Sequence, residues 1–290
     1  MLEAAGIPSG MAGAGREHVL LVPEEHAERA AIELFRYVRE NRDRAQDDDV
    51  PQPIAWSGGA ALAYAFILSA LYVAERRGSF GFDWMASGVA DATMIRGGAW
   101  WRTITALGLH ADFLHLASNL AFGAMFGVML AQSIGVGLAW LAFLVTGAAG
   151  NWINAWLQLP SHASIGASTA IFGMLGVQVA HDWVRRRQIH YNLFRRWAPI
   201  AIGAALLAWL GGDGRQIDPT GLPKTLGDLN VALPKIDVGA HLLGFAVGLA
   251  VGGAVGWTRP HFRLTARQQA MLLAVAASAF GLVWFFALMA

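Results

Sequence analysis

Formal charge is absent from five stretches of the chain: 54–74, the interval between Asp112 and Asp182, 197–212, 238–258 and 268–290. A bilayer core takes about 20 mostly apolar residues per helix. The long second interval has room for three such helices, and turn-forming residues divide it. Gln132-Ser133-Ile134-Gly135 separates one span from the next, and Leu159-Pro160-Ser161-His162 breaks the chain again. The pattern therefore predicts seven spans, near 54–74, 113–131, 136–155, 166–183, 197–211, 238–257 and 269–289. The expected fold class is an all-α polytopic membrane protein. Before the first span the pattern changes. Pro23 suits a first helical position, acids follow it, and Ala27, Ala31, Leu34, Phe35 and Val38 recur at helical spacing. Residues 23–44 therefore read as a soluble amphipathic helix, and Asp47-Asp48-Asp49 as a short acidic linker.

Composition sharpens this picture. The 290 residues are 56% hydrophobic and 14% charged, where soluble domains average roughly a quarter charged. Residues 1–52 hold 17 of the 41 charges, so the remaining 238 residues carry 24, too few to cover a soluble surface. Disorder outside the N-terminal segment is excluded by the same hydrophobicity. The absence of cysteine excludes disulfides, thiolate zinc sites and a cysteine nucleophile. No metal or cofactor is expected. A net charge of +1 gives no electrostatic case for nucleic acid. The N-terminus lacks a basic stretch followed by an apolar core, so it is not read as a signal peptide.

Basic residues set the expected orientation. Six Arg in the N-terminal tail, Arg185, Arg186, Arg187, Arg195 and Arg196 after span four, and Arg259, Arg263 and Arg267 after span six fall on one side. They make up 14 of the 21 Lys and Arg, and that side should be cytoplasmic, as in a bacterial plasma membrane. The loops at 75–110, 150–165 and 212–237 then face outward. The first of these is rich in aromatics (Phe80, Phe82, Trp84, Trp100, Trp101), which suits the membrane interface. In the second, Asn151, Asn154, Gln158, Ser161 and His162 supply polarity that could hold water.

Polar side chains inside spans are costly and point to function. His115 and Asn119 in span two are four residues apart and share one helix face. Ser168 opens span four and His241 lies near the start of span six. Spans two, four and six begin on the outer side, so these residues share one depth. Each has a bland reading. The histidines could bond neighbouring helices, the serine its own helix carbonyl, and the asparagine could act as interhelical glue. In conjunction they supply a nucleophile, a base and oxyanion donors. Ala240, Gly244, Gly248 and Gly252 form a small-residue ridge facing a similar set in span four (Gly166, Ala170, Gly173, Gly176, Ala180). Such ridges let helix backbones approach closely, whether for ordinary packing or to bring a Ser and a His together.

These ordered motifs resemble the rhomboid family of intramembrane serine proteases. The resemblance covers about 54–257 and rests on Trp101-Arg102, His110, His115-x-x-x-Asn119, Gly166-Ala167-Ser168 and Ala240-His241-x-x-Gly244-x-x-x-Gly248. It implies a cytoplasmic segment over 1–52, a six-span catalytic core over 53–258, and an appended loop and seventh span over 259–290. It also implies peptide-bond hydrolysis by a dyad of Ser168 and His241. His115, Asn119 and the Ser168 N–H would stabilise the oxyanion, Phe172 would pack on the His241 ring, and Trp101-Arg102 would anchor the first outer loop. Asp237, four residues before His241, invites a triad reading, but a helix N-cap is the better one. Two positions depart from the family pattern. Thr169 follows the serine where Gly is usual, and Ala131-Gln132 stand where the family often has a Glu. The implied substrates are single-span membrane proteins with helix-weakening residues near the cut. Two other readings stay open at this point. One is an inactive relative that escorts membrane helices, and the other is a transporter or proton channel relaying through His115 and His241. Residues 1–52 read as a solvated segment or a regulatory one.

Overall fold

A computed structural model describes residues 2–12, 19–40, 54–188, 237–258 and 264–290. The chain divides into two compact units, Met1–Val50 and Pro51–Ala290.

In the first unit a short antiparallel pair, β1 (Gly10–Ala12) with β2 (Val19–Leu21), precedes helix α1 (Ala27–Glu40). Leu2, Ile7 and Ala30 form its small core, and Arg29 donates to the Ala5 carbonyl at 3.0 Å. Two features lie beyond what the sequence reading addressed. The strand pair was not foreseen, because three exposed residues per strand leave no alternation to read. The apolar stripe of the predicted helix also does not face that core, since Phe35 and Val38 are exposed. Residues 41–44 of that helix and the acidic linker lie outside the described residues.

In the second unit, six of the seven expected spans fall on described helices. They are α2 (Ile54–Arg76), α3 (Phe113–Ile134), α4 (Val136–Leu157), α5 (Ser168–Gln188), α6 (Val238–Thr258) and α7 (Ala266–Met289). The fifth span, 197–211, lies outside the described residues, as do Arg195, Arg196, Arg259 and Arg263. Among the described residues, all of these helices except α5 are long and apolar enough to cross a membrane. Helix α5 falls short because Gln178, His181, Asp182 and Arg185 lie within it. It tolerates them because it packs against α3, α4 and α6, so protein surrounds much of it where the others meet lipid.

The α5–α6 seam is the most extensive helix–helix contact among the described residues. A Cβ built on Gly244 would strike the Thr169 carbonyl, one on Gly248 the Gly173 carbonyl, and one on Gly252 the Val177 carbonyl. The offset between partners is constant along the seam, so the two helices run parallel and in step. From the other side, a Cβ on Gly176 would strike the Phe245 carbonyl. Backbone rests on backbone here, as the small-residue ridge predicts.

Helix α7 is fastened by a polar side chain. Gln269, itself buried, donates to the Ile134 carbonyl at 3.1 Å and accepts from the Leu138 N–H at 3.0 Å. It thereby satisfies backbone groups at the α3–α4 turn, where Gly135 takes φ 90° and a Cβ on Gly137 would strike the Gln269 carbonyl. At the other end of α7, Trp284 fits against Gly88 and Gly108 of the loop between α2 and α3.

Gly244→Val should lower the thermal unfolding midpoint in detergent by about 5 °C or more, because overpacking costs about 1–3 kcal/mol or above. Gly253→Ala, on the open side of the same helix, should leave it unchanged. Gln269→Leu should destabilise by about 1–3 kcal/mol for each backbone group it strands, read by the same melts.

Candidate active site

The loop between α2 and α3 is a scaffold of short helices, Trp84–Gly88, Ala92–Arg96 and Arg102–Thr105. Asp83 and Asp91 cap the first two by accepting from the Ala86 and Met94 N–H groups, each at 2.8 Å. Arg102 is buried and donates to the Val89 carbonyl at 3.0 Å, while Thr105 donates to the Gly88 carbonyl at 2.8 Å. Trp101 sets its ring edge-on to Phe286 of α7, with centroids 4.9 Å apart. Residues Ala90 and Asp91 (β3) pair antiparallel with Ala163 and Ser164 (β4), which ties this loop to the segment entering α5.

That segment ends in Gly166-Ala167-Ser168. Gly166 takes φ 116° and donates to the Ala106 carbonyl at 2.8 Å. A Cβ there would lie 2.6 Å from His115 Nε2 and 3.7 Å from Asn119 Nδ2, so both side chains of that α3 pair face the approach to Ser168. Asp112 caps α3 by accepting from the His115 N–H at 2.8 Å. The Ala111 N–H points at His115 Nδ1 over a long 3.4 Å, which gives Nδ1 the acceptor role and leaves the ring proton on Nε2, facing Gly166. Asn119 gives one amide proton to the His115 carbonyl at 2.9 Å and keeps a second. Tyr64 of α2 holds the same turn by donating to the Asn119 carbonyl at 2.8 Å.

Ser168 is the first residue of α5 and is half-buried. Its Oγ lies 2.7 Å from Nε2 of the buried His241 on α6. Phe172, one turn further along α5, lies against the imidazole with centroids 4.6 Å apart. The helices thus bring Ser168 and His241 into hydrogen-bonding contact, with His115 and Asn119 beside Gly166. Among the described residues, no hydrogen-bond partner reaches His241 Nδ1. Asp237 makes no hydrogen bond to the His241 ring among the described residues. Its Oδ1 caps α6 by accepting from the Ala240 N–H at 3.0 Å. Burial works to raise its carboxyl pKa, but bonds from Ala240, His162 and Ser164 win and hold it below the usual carboxylate range.

His110 lies outside the spans and packs on His115, with centroids 5.1 Å apart. Burial first, and then His115, push its pKa down to about 3, so it is neutral at ordinary pH. Thr169 fits because two glycines make room for it: a Cβ on Gly150 would lie 2.7 Å from its Cγ2, and one on Gly244 would lie 3.1 Å away. Gln132 is exposed. Asn151 and Asn154 are a correction. They sit on α4, not in the following loop, and Asn151 donates to the Thr103 carbonyl at 2.9 Å. Those amides meet protein groups because α4 continues to Leu157. Among the described residues, no His, Asp and Glu cluster suited to a metal ion occurs.

The family described as Rhomboid domain matches residues 97–258, just over half of the chain. The chain is 40% identical over 90 residues to Rhomboid-like protein 11, chloroplastic, of Arabidopsis thaliana, covering 29% of this chain and 32% of that one. It is 36% identical over 122 residues to RHOMBOID-like protein 6, mitochondrial, of the same plant, covering 40% and 39%. It is 29% identical over 167 residues to Rhomboid-like protease 3 of Toxoplasma gondii, covering 58% and 56%. The matches thus span about a third to just over half of these relatives' lengths.

Gly166→Ala should strain the left-handed backbone at a cost of about 1–3 kcal/mol and push His115 aside. A lowered melting midpoint, with a shifted His115 imidazole resonance, would register both effects.

Proposed function

Because the chain belongs to the rhomboid family, we propose that it is an intramembrane serine endopeptidase that cuts membrane-protein substrates with Ser168 and His241. The observation that carries this is the 2.7 Å contact between Ser168 Oγ and His241 Nε2. His241 Nε2 accepts the Oγ proton as the oxygen attacks the scissile carbonyl carbon. The carbonyl oxygen becomes an oxyanion, to which the Ser168 N–H, the His115 Nε2–H and the second Asn119 amide proton are available as donors. When the C–N bond breaks, His241 returns its proton to the leaving amine and leaves an ester on Ser168. Water, deprotonated by the same imidazole, then attacks that ester, the C–Oγ bond breaks, His241 returns the proton to Ser168 Oγ, and the carboxylic acid product leaves.

Phe172 supports this reading, since a ring against the imidazole restricts its rotation without competing for Nε2. Asp237 is committed to its cap, which favours a dyad over a triad. The escort reading gains no support, because both Ser168 and His241 are present and in contact. The substrates this implies are single-span membrane proteins with locally unwound helices, because an intact helix keeps its carbonyls bonded within itself.

The protein is a multi-pass integral membrane protein. Helices α5 and α6 run parallel, so both start on one side. By the distribution of basic residues that side is opposite the N-terminal segment, and Ser168 and His241 would open toward it. The bacterial plasma membrane expected above draws no support from the relatives, two of which are named for plant organelles.

A serine-directed fluorophosphonate should label the purified protein, and Ser168→Ala and His241→Ala should each abolish labelling while the fold persists. His115→Ala and Asn119→Ala should slow cleavage by about 100–1,000-fold. Labelling that survives Ser168→Ala would remove the proposed nucleophile.

A further inference from the structure

We propose that His162 and Asp237 form a clamp that fixes the register of the histidine helix α6 against the serine helix α5, so that both are positioning residues for the site. This rests on the protease reading above and adds two residues that never touch the reacting atoms.

The need for a clamp comes from the seam itself. Glycine against carbonyl sets how closely α5 and α6 approach, and with side chains interlocking at a few glycines, such as Thr169 at Gly244 and Val184 at Gly256, this smooth contact resists sliding along the axis less than a fully interdigitated one would. The Ser168–His241 contact at 2.7 Å is intolerant of such slippage. A displacement near 1 Å in a reacting geometry can cost about 100-fold in rate.

The outer end of the seam carries the polar lock. Asp237 immediately precedes α6, one turn before His241. Its two carboxylate oxygens do different work. Oδ1 caps α6 through the Ala240 N–H, while Oδ2 lies 2.7 Å from His162 Nε2 and 2.7 Å from Asn154 Nδ2. Asn154 belongs to α4, and its Nδ2 also lies 3.3 Å from His162 Nε2. His162 lies six residues before Ser168, in the segment that enters α5. Its own position is fixed on the far side, because its carbonyl accepts from the Ala92 N–H at 3.0 Å and the next two residues form β4. Thr93 adds a bond to the Pro160 carbonyl at 2.7 Å, and Arg96 donates to the Ala155 carbonyl at 2.8 Å and to the Gln158 carbonyl. One carboxylate thus joins the start of α6 to the end of α4 and, through His162, to the first outer loop and the approach to Ser168. The pair is mostly enclosed, with side chains 27% and 12% exposed, so solvent screens it less than a surface pair.

A plain helix cap predicts something different. Asn caps as well as Asp, so Asp237→Asn preserves the cap while removing the charge that pairs with His162. The test measures the fluorophosphonate labelling rate of Ser168 in the full chain, with kcat and KM on a fluorogenic transmembrane peptide and thermal melts alongside. Asp237→Asn and His162→Gln should each slow labelling about 10–100-fold. In each, kcat should fall while KM and the melting midpoint hold. The double variant should be no slower than the slower single one, because both remove the same link. Single variants that label at the wild-type rate, losses that multiply in the double variant, or losses that simply track a fallen midpoint would each overturn the clamp. Wild-type protein that never labels would overturn the protease reading and the clamp with it. Wild-type protein that labels alongside equally fast variants would overturn the clamp alone.

Discussion

Everything at this site depends on backbone meeting backbone between α5 and α6. A hydroxyl on one helix and an imidazole on another meet at 2.7 Å only if the helix axes come close, and side chains at the contact would hold them apart. Gly244, Gly248 and Gly252 remove that obstacle on α6, and Gly176 removes it on α5. In lipid there is little hydrophobic force to drive two apolar helices together, so close van der Waals packing has to supply the association. The seam therefore provides both cohesion and the geometry of the site. Helix α5 is correspondingly the least apolar of the long helices, since protein takes the place of lipid around it.

The loops around Ser168 obey a second constraint. Irregular backbone near membrane depth must find its hydrogen bonds within the protein. The loop between α2 and α3 does so with Asp83 and Asp91 as caps, Arg102 and Thr105 donating to carbonyls, and the β3–β4 pair. These bonds make a rigid frame around Gly166, whose left-handed backbone turns the chain into α5 with His115 and Asn119 alongside. Helix α7 joins the same frame at one end through Trp101, Trp284 and Phe286. At its other end it is pinned by Gln269.

Much of this was legible in the sequence. Long charge-free stretches mark the described spans to within a few residues, because lipid penalises charge so heavily that the pattern is coarse and strong. The small-residue ridge was legible because it repeats every four residues. His115, Asn119, Ser168 and His241 stood out as polar groups where polarity is expensive, and Asp237 was readable as a cap from its place before an apolar run. Long-range partnerships were hidden. Nothing local to Gln269 says that it bonds to Ile134 and Leu138, and nothing local to His162 names Asp237, because such pairs are set by folding across more than 70 residues of chain. Asn151 and Asn154 misled for the same reason: their polarity was plain, but the protein groups that satisfy it lie on other segments. The first unit was read least well, since three-residue strands carry no usable period.

Thr169 shows how local volume is shared across three helices. Its methyl group occupies space left by Gly150 on α4 and Gly244 on α6, so the departure beside Ser168 is absorbed by neighbours that carry no side chain. The three positions are best regarded as one heritable unit. A lineage that kept glycine after the serine would relieve one of the contacts that hold residue 150 to glycine, leaving the Gly244 backbone 3.0 Å away, whereas one that adopted threonine would be bound to keep that position empty. Substitutions at these sites should therefore travel together through descent, with the intermediate crowded enough to be short-lived.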